Sequence, residues 1–182
     1  MNELQEAIFE VILSILRNDK LHKKFESYPE QIGKPILQNS AIRYGILNYV
    51  AKFSLANNEY FISGKCFEHI SELNLISNKG LRRGKKGTKY KFTFEHPVPS
   101  NIIGDLLYEN YNDENKVREI LCLSDVVTIL TYEEDKLLRE SKLVSKMPLG
   151  WQIFENDIFE RYTKCGLSRP SRKITVYGAL AR

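Results

Sequence analysis

Cysteine is scarce. The 182 residues hold three, Cys66, Cys122 and Cys165, far apart and with no Cys-x-x-Cys pair. An odd, scattered set predicts reduced thiols and argues against a disulfide framework or a cysteine-based zinc site. Histidine is equally sparse, at His22, His69 and His96, and none follows His96. No apolar run approaches the roughly 18 residues that a membrane-spanning helix needs, so no membrane partner is expected. The start, Met-Asn-Glu-Leu-Gln-Glu, lacks the basic and apolar regions of a secretory signal, and a cytoplasmic location is the expectation. Neither a phosphate-cradling Gly-x-x-x-x-Gly-Lys-[Ser/Thr] loop nor a Gly-x-Gly-x-x-Gly fingerprint occurs. A Gly-x-Ser-x-Gly elbow is also missing.

What is present is enough to fold. Apolar residues make up 42% of the chain, with 10 Tyr and 9 Phe among them, which argues against global disorder. The length fits one large domain or two small ones. Apolar residues recur at helical spacing over Glu3–Asn18, with Asn2 as N-cap, and over Ser40–Leu55. Lys20–Phe25 adds a short helix, and Ser63 caps another through Leu73. Further helices are predicted from Val98–Ser100 through Leu107, over Asp113–Leu123, over Glu133–Leu143 and over Asn156–Cys165, the last ended by Gly166. Thr131-Tyr132-Glu133-Glu134 matches a capping box. Strands are predicted over Lys89–Phe94, Val126–Leu130 and Lys173–Tyr177, with Leu75–Ser77 strand-like. The fold class is therefore α+β, mostly helical, with a small two- or three-stranded sheet and a basic β-hairpin loop. A boundary is expected near Phe94–Pro99. Residues 1–94 would form a helical, wing-like nucleic-acid-binding half and 95–182 a mixed α/β half, unless the chain is one continuous domain.

Charge is distributed unevenly. Lys79–Lys91 holds seven cations in thirteen residues and no acid. Taking those seven from the 27 Lys and Arg leaves 20 against 23 Asp and Glu, so one segment supplies the positive balance of the whole chain. Such density repels itself unless an anion is near, and a polyanion gains affinity by releasing its condensed counterions. Gly80, Gly84 and Gly87 punctuate the segment as a hairpin loop. Two readings stand: a solvated hairpin tip, or phosphate contact by Lys79, Arg82, Arg83, Lys85, Lys86, Lys89 and Lys91. The contacts would be mostly independent of base sequence. Tyr90 and Phe92 follow, and strand alternation puts at least one of them in a core.

The order helix Ser63–Leu73, Leu73-Asn74-Leu75-Ile76, basic loop, Tyr90-Lys91-Phe92-Thr93 resembles the second half of a winged-helix domain. That resemblance covers residues 63–94. It implies a helix for the major groove of DNA and a basic hairpin on the backbone beside it. Upstream the pattern departs, since one long helix and Asn57–Ile62 stand where that family has two short helices.

A second constellation is Phe94-Glu95-His96-Pro97-Val98-Pro99. An acid and a histidine follow a strand and precede a proline turn and a helix, a common place for catalytic groups. The passage resembles the opening of HNH-type nucleases. That implies Glu95 as metal ligand or orienting acid, and His96 as general base beside a divalent metal such as Mg²⁺. The family's further His or Asn partners are not identifiable here. The structural alternative is that Glu95 or His96 satisfies backbone groups of the turn. Glu134-Asp135-Lys136, with Asp125 upstream, has the spacing of the PD-(D/E)xK nucleases, but first-turn acids are also what a helix dipole favours. Trp151 reads as a core anchor, and Arg161-Tyr162 with Lys164 as an exposed helix face. Arg169-Pro170-Ser171-Arg172-Lys173 is a second, smaller basic cluster, either a solvated loop or an extension of a polyanion surface.

These features predict a nucleic-acid-binding protein, with DNA the more expected partner than RNA. The enzymatic version is a small prokaryotic or phage nuclease of a defence or mobile element, acting on a phosphodiester or a base through Glu95 and His96. The alternatives are a non-catalytic winged-helix-type DNA-binding regulator and an interaction protein gripping an acidic partner.

Overall fold

The computed structural model describes residues 1–24, 26, 32–73 and 92–175. The basic segment Lys79–Lys91 and the strand expected at Leu75–Ser77 lie outside them. Among the described residues the chain forms eight α-helices and a four-stranded sheet, an α+β fold.

Helix α1 (Glu3–Leu16) starts at a capping box. The Asn2 side chain accepts from Gln5 N at 2.9 Å, and the Gln5 side chain accepts from Asn2 N at 3.0 Å. After the single-turn α2 (Asp19–His22) comes α3 (Ser40–Leu55), whose N-cap Asn39 accepts from Ala41 N. α5 (Ser100–Glu109) and α6 (Glu114–Ser124) follow later in the chain. Ile8, Phe9, Ile12, Leu16, Val50, Phe53, Ile103, Leu107, Val117 and Ile120 close these four long helices around one apolar core. Gly104 lets α3 and α5 approach closely, because a Cβ there would stand 2.7 Å from Leu47 Cδ2. Hydrogen bonds tie the helix ends together: Gln5 Nε2 donates to Phe53 O, and Ser54 Oγ donates to Ser124 O at 2.7 Å.

The sheet runs in the order β2 (Phe92–Glu95), β3 (Thr128–Thr131), β1 (Glu59–Ile62), β4 (Arg172–Thr175). β1 and β3 are parallel, with Phe61 opposite Thr128. β2 is antiparallel to β3 and β4 to β1, which pairs Phe92 with Thr131 and Ile62 with Arg172. The sheet exceeds the expected two or three strands by β1. Asn58, at φ 56°, turns the chain from α3 into it.

α4 (Gly64–Leu73) covers one face of the sheet, where Tyr60, Ile62, Phe92, Ile129 and Cys66 are buried together. On the opposite face α7 (Tyr132–Glu140) and α8 (Glu160–Lys164) bury Leu130, Leu138, Phe159 and Tyr162 against Phe61. Phe92 is thus a core residue. The helix expected over Asn156–Cys165 shortens to α8. The Asn156 and Asp157 side chains instead accept from Gln152 N and Phe159 N, holding that stretch in turns. Gly166, at φ 79°, ends α8. The crossing near Phe94–Pro99 runs from β2 into α5, and the sheet takes strands from both sides of it.

Leu107 lies fully buried where α5 meets the helical core. Leu107→Ala is expected to cost about 2–5 kcal/mol. Urea unfolding checks it: the midpoint should fall while the slope stays unchanged.

Candidate functional site

Glu95 and His96 stand at the end of β2, with Glu95 on the face that α7 and α8 cover. There they meet Arg161. This side chain was expected on an exposed helix face, and it is instead fully buried, as is its neighbour Tyr162. Its environment explains why burial is tolerated. Nε donates to Pro97 O at 2.7 Å. Nη1 donates to Leu143 O at 2.8 Å and to Val144 O at 3.0 Å. Nη2 donates to Glu95 Oε1 and to His96 O. A guanidinium has five N–H groups, and each is used. A charge this deep is stable only when paired and fully hydrogen-bonded, and both conditions hold.

The neighbourhood sets the protonation of the candidate pair. Burial pushes the Glu95 carboxyl above its ordinary value, and the Arg161 guanidinium pulls it back. Burial, aided by the Arg161 charge, lowers the His96 imidazole from 6.5 to about 4, so it is neutral at neutral pH. His96 Nε2 is buried without a hydrogen-bond partner. On the sheet, Thr128 stands directly across from Glu95, and its Oγ1 and the Tyr162 hydroxyl are buried as neighbours. Burial also raises the Tyr162 hydroxyl. Beside Glu95, the buried Asp135 is paired with the exposed Arg139.

Glu134 belongs to the cap of α7. Its Oε2 accepts from Thr131 N at 2.9 Å, and Thr131 Oγ1 accepts from Glu134 N at 3.2 Å. The same carboxylate accepts from Ser63 Oγ at 2.6 Å. Ser63 Oγ in turn accepts from Cys66 N at 3.0 Å, so the starts of α4 and α7 share one hydrogen-bond chain. Burial next to the Glu134 carboxylate pushes the Cys66 thiol up and leaves it unreactive. Asp125 stands at the other end of β3, where it caps α6 and accepts from Asn57 Nδ2 at 3.1 Å. Burial lifts its carboxyl to about 6. β3 alone separates it from Glu134 by about 13 Å. The PD-(D/E)xK spacing therefore does not converge into one acidic site.

The structure brings Glu95 and His96 together with Arg161, a residue that no local pattern marked. Among the described residues no group of three or more His, Cys, Asp or Glu is placed to hold a metal ion. With Glu95 engaged by Arg161, the pair as arranged does not fit the ligand set of a Mg²⁺ nuclease. What the geometry can do is hold a turn. Arg161 bolts the β2–α5 crossing, through Glu95, His96 and Pro97, to the chain leaving α7, through Leu143 and Val144. Lys79, Arg82, Arg83, Lys85, Lys86, Lys89 and Lys91 lie outside the described residues. The chain enters their segment from α4 and leaves it into β2. No described helix is long and apolar enough to cross a membrane.

Arg161→Met should destabilise the fold by about 3–5 kcal/mol, because the carboxylate and the carbonyls stay buried without their donor. Adding Glu95→Leu should recover part of that loss, and chemical unfolding of the single and double variants reads both. His96 gives a pH signature. Its pKa is about 4 folded against 6.5 unfolded, so falling pH protonates the unfolded chain first and removes stability across that window. The stability advantage of the wild type over His96→Gln should therefore shrink between pH 6.5 and 4, as followed by urea midpoints. Comparison with protein-family models, with curated proteins and with solved structures finds no match to this chain.

Proposed function

We propose that this protein binds nucleic acid, DNA in the first instance, by laying the Lys79–Lys91 segment along the phosphate backbone. The observation that carries the reading is the charge itself: seven cations and no acid in thirteen residues, in a chain otherwise slightly acidic. Such a segment draws most of its free energy from counterion release, so its contacts hold position more than they read sequence. Its attachment supports the reading. It leaves from α4, whose start is capped by Ser63, and returns into β2, whose end is clamped by Arg161. Both elements that flank it in the chain are packed on the sheet.

We read the activity as binding without cleavage at Glu95–His96. Glu95 is engaged by a buried guanidinium, and the His96 backbone carbonyl is gripped by the same group. Both are explained as the buckle of a turn, the role weighed for them against catalysis. In the winged-helix comparison, α4 takes the place of the groove helix and the basic segment that of the wing.

The test is DNA binding by the variant Arg82→Ala, Arg83→Ala, Lys85→Ala, Lys86→Ala. Its affinity should fall, and the slope of log K against log salt should flatten by about three to four. Unchanged binding would remove the reading. Binding that bulk duplex DNA cannot compete would transfer the segment to an acidic protein partner. Breakage of DNA or RNA with Mg²⁺ or Mn²⁺, lost in His96→Ala, would replace binding by the nuclease reading.

A further inference from the structure

The sheet has one end where four features meet. β1 and β3 are parallel, so their carboxyl ends point the same way, with β3 running two residues beyond the partner of Ile62. β2 begins beside the end of β3, where Phe92 faces Thr131, and β4 begins beside the end of β1, where Arg172 faces Ile62. α4 leaves from this end, and the basic segment rejoins the described chain there at Phe92. The carboxyl ends of parallel strands are a common place for ligands in open sheets.

The cations of the second basic cluster are not equivalent. Arg169 donates from Nε to Asp157 at 2.8 Å. Lys173 pairs with Glu59 at 3.4 Å. Arg172 has no carboxylate partner among the described residues, and its guanidinium lies over the Phe67 ring of α4, 4.4 Å from the centroid. Stacking holds the planar group in place while leaving its N–H donors unspent, so less side-chain freedom remains to be lost on meeting an anion. Lys65, exposed in the first turn of α4, also lacks an ion pair among the described residues, and that turn contains no acid. Three strand spacings, about 14 Å, separate β2 from β4. One turn of duplex DNA is about 34 Å long, so one backbone reaches both edges.

We propose that the DNA surface continues across this end of the sheet, with Arg172 and Lys65 contacting phosphates. The inference rests on the nucleic-acid reading above. It adds to it a footprint of described residues, carried by α4 and β4. Phe67 is a positioning residue in it: the ring fixes the guanidinium and touches no phosphate.

The experiment measures the affinity of a short fluorescein-labelled DNA duplex by anisotropy, in salt between about 50 and 200 mM. Four proteins are compared: wild type, Arg172→Ala, Arg172→Lys, and Lys65→Glu. The expected result is a several-fold loss for Arg172→Ala with a salt slope lower by about one, and a slope restored in Arg172→Lys. Lys65→Glu should lose more, because it replaces attraction with repulsion. Lys65 is exposed on its helix, so this variant keeps the fold, and circular dichroism verifies that. Wild-type affinity and slope in both Arg172→Ala and Lys65→Glu, alongside loss in the variant of the basic segment, would overturn the footprint and leave the binding reading in place. Wild-type binding by the segment variant would overturn the reading beneath it. A loss in Arg172→Ala that Arg172→Lys does not restore, with the salt slope unchanged, would assign Arg172 to packing on Phe67 and also overturn the proposal.

Discussion

A guanidinium in the interior is an expensive group to leave incomplete. Arg161 comes from a helix of only five residues, yet its five donors reach three separate stretches of chain: the end of β2, the proline turn into α5, and the segment that leaves α7. Each stretch is irregular or terminal and has backbone carbonyls with no helix or sheet partner of their own. Arg161 satisfies them together, and Glu95 balances its charge. Two bodies of structure meet at this point. Val98, just past the clamped turn, belongs to the helical core, whereas Phe94, just before it, packs with the sheet. At this crossing the join of sheet and helices is made by one side chain and its acceptors.

That dependence changes the meaning of the acid–histidine pair. A strand end, an acid, a histidine and a proline turn also compose an active-site opening, and sequence alone does not separate the two roles. Three-dimensional placement weighs between them. Arg161 grips both the carboxylate and the histidine carbonyl, and the imidazole is driven neutral by its surroundings. The strand that this clamp secures is also the one into which the basic segment leads.

Local signals carried much of the fold. Asn2, Ser63, Asp113 and Thr131 were legible as helix starts, because a capping side chain bonds to a backbone N–H two or three residues away. Ser40–Leu55 was legible to the residue from its apolar spacing. β1 was not. Its four residues, Glu-Tyr-Phe-Ile, are too short for alternation to stand out, and both faces are covered, by Tyr60 and Ile62 on one side and Phe61 on the other. Only partners at Thr128 and Arg172, far along the chain, make it a strand. Arg161 was hidden for the same reason. A helix reading Glu-Arg-Tyr-Thr-Lys looks solvated, and the acceptors that draw Arg161 inward lie 17 to 66 residues away. The charge of the basic segment was legible from composition, because charge needs no partner to be counted.

Among the described residues β4 stands at the margin of the sheet, half of it Arg172 and Lys173. A strand in that position offers unpaired backbone groups to any other strand that approaches. Cations on such an edge oppose its alignment with a second copy. A polyanion held at Arg172, as proposed, would remove part of that repulsion. Crowding along such a polymer and edge-to-edge growth of the sheet would then be coupled through a single side chain.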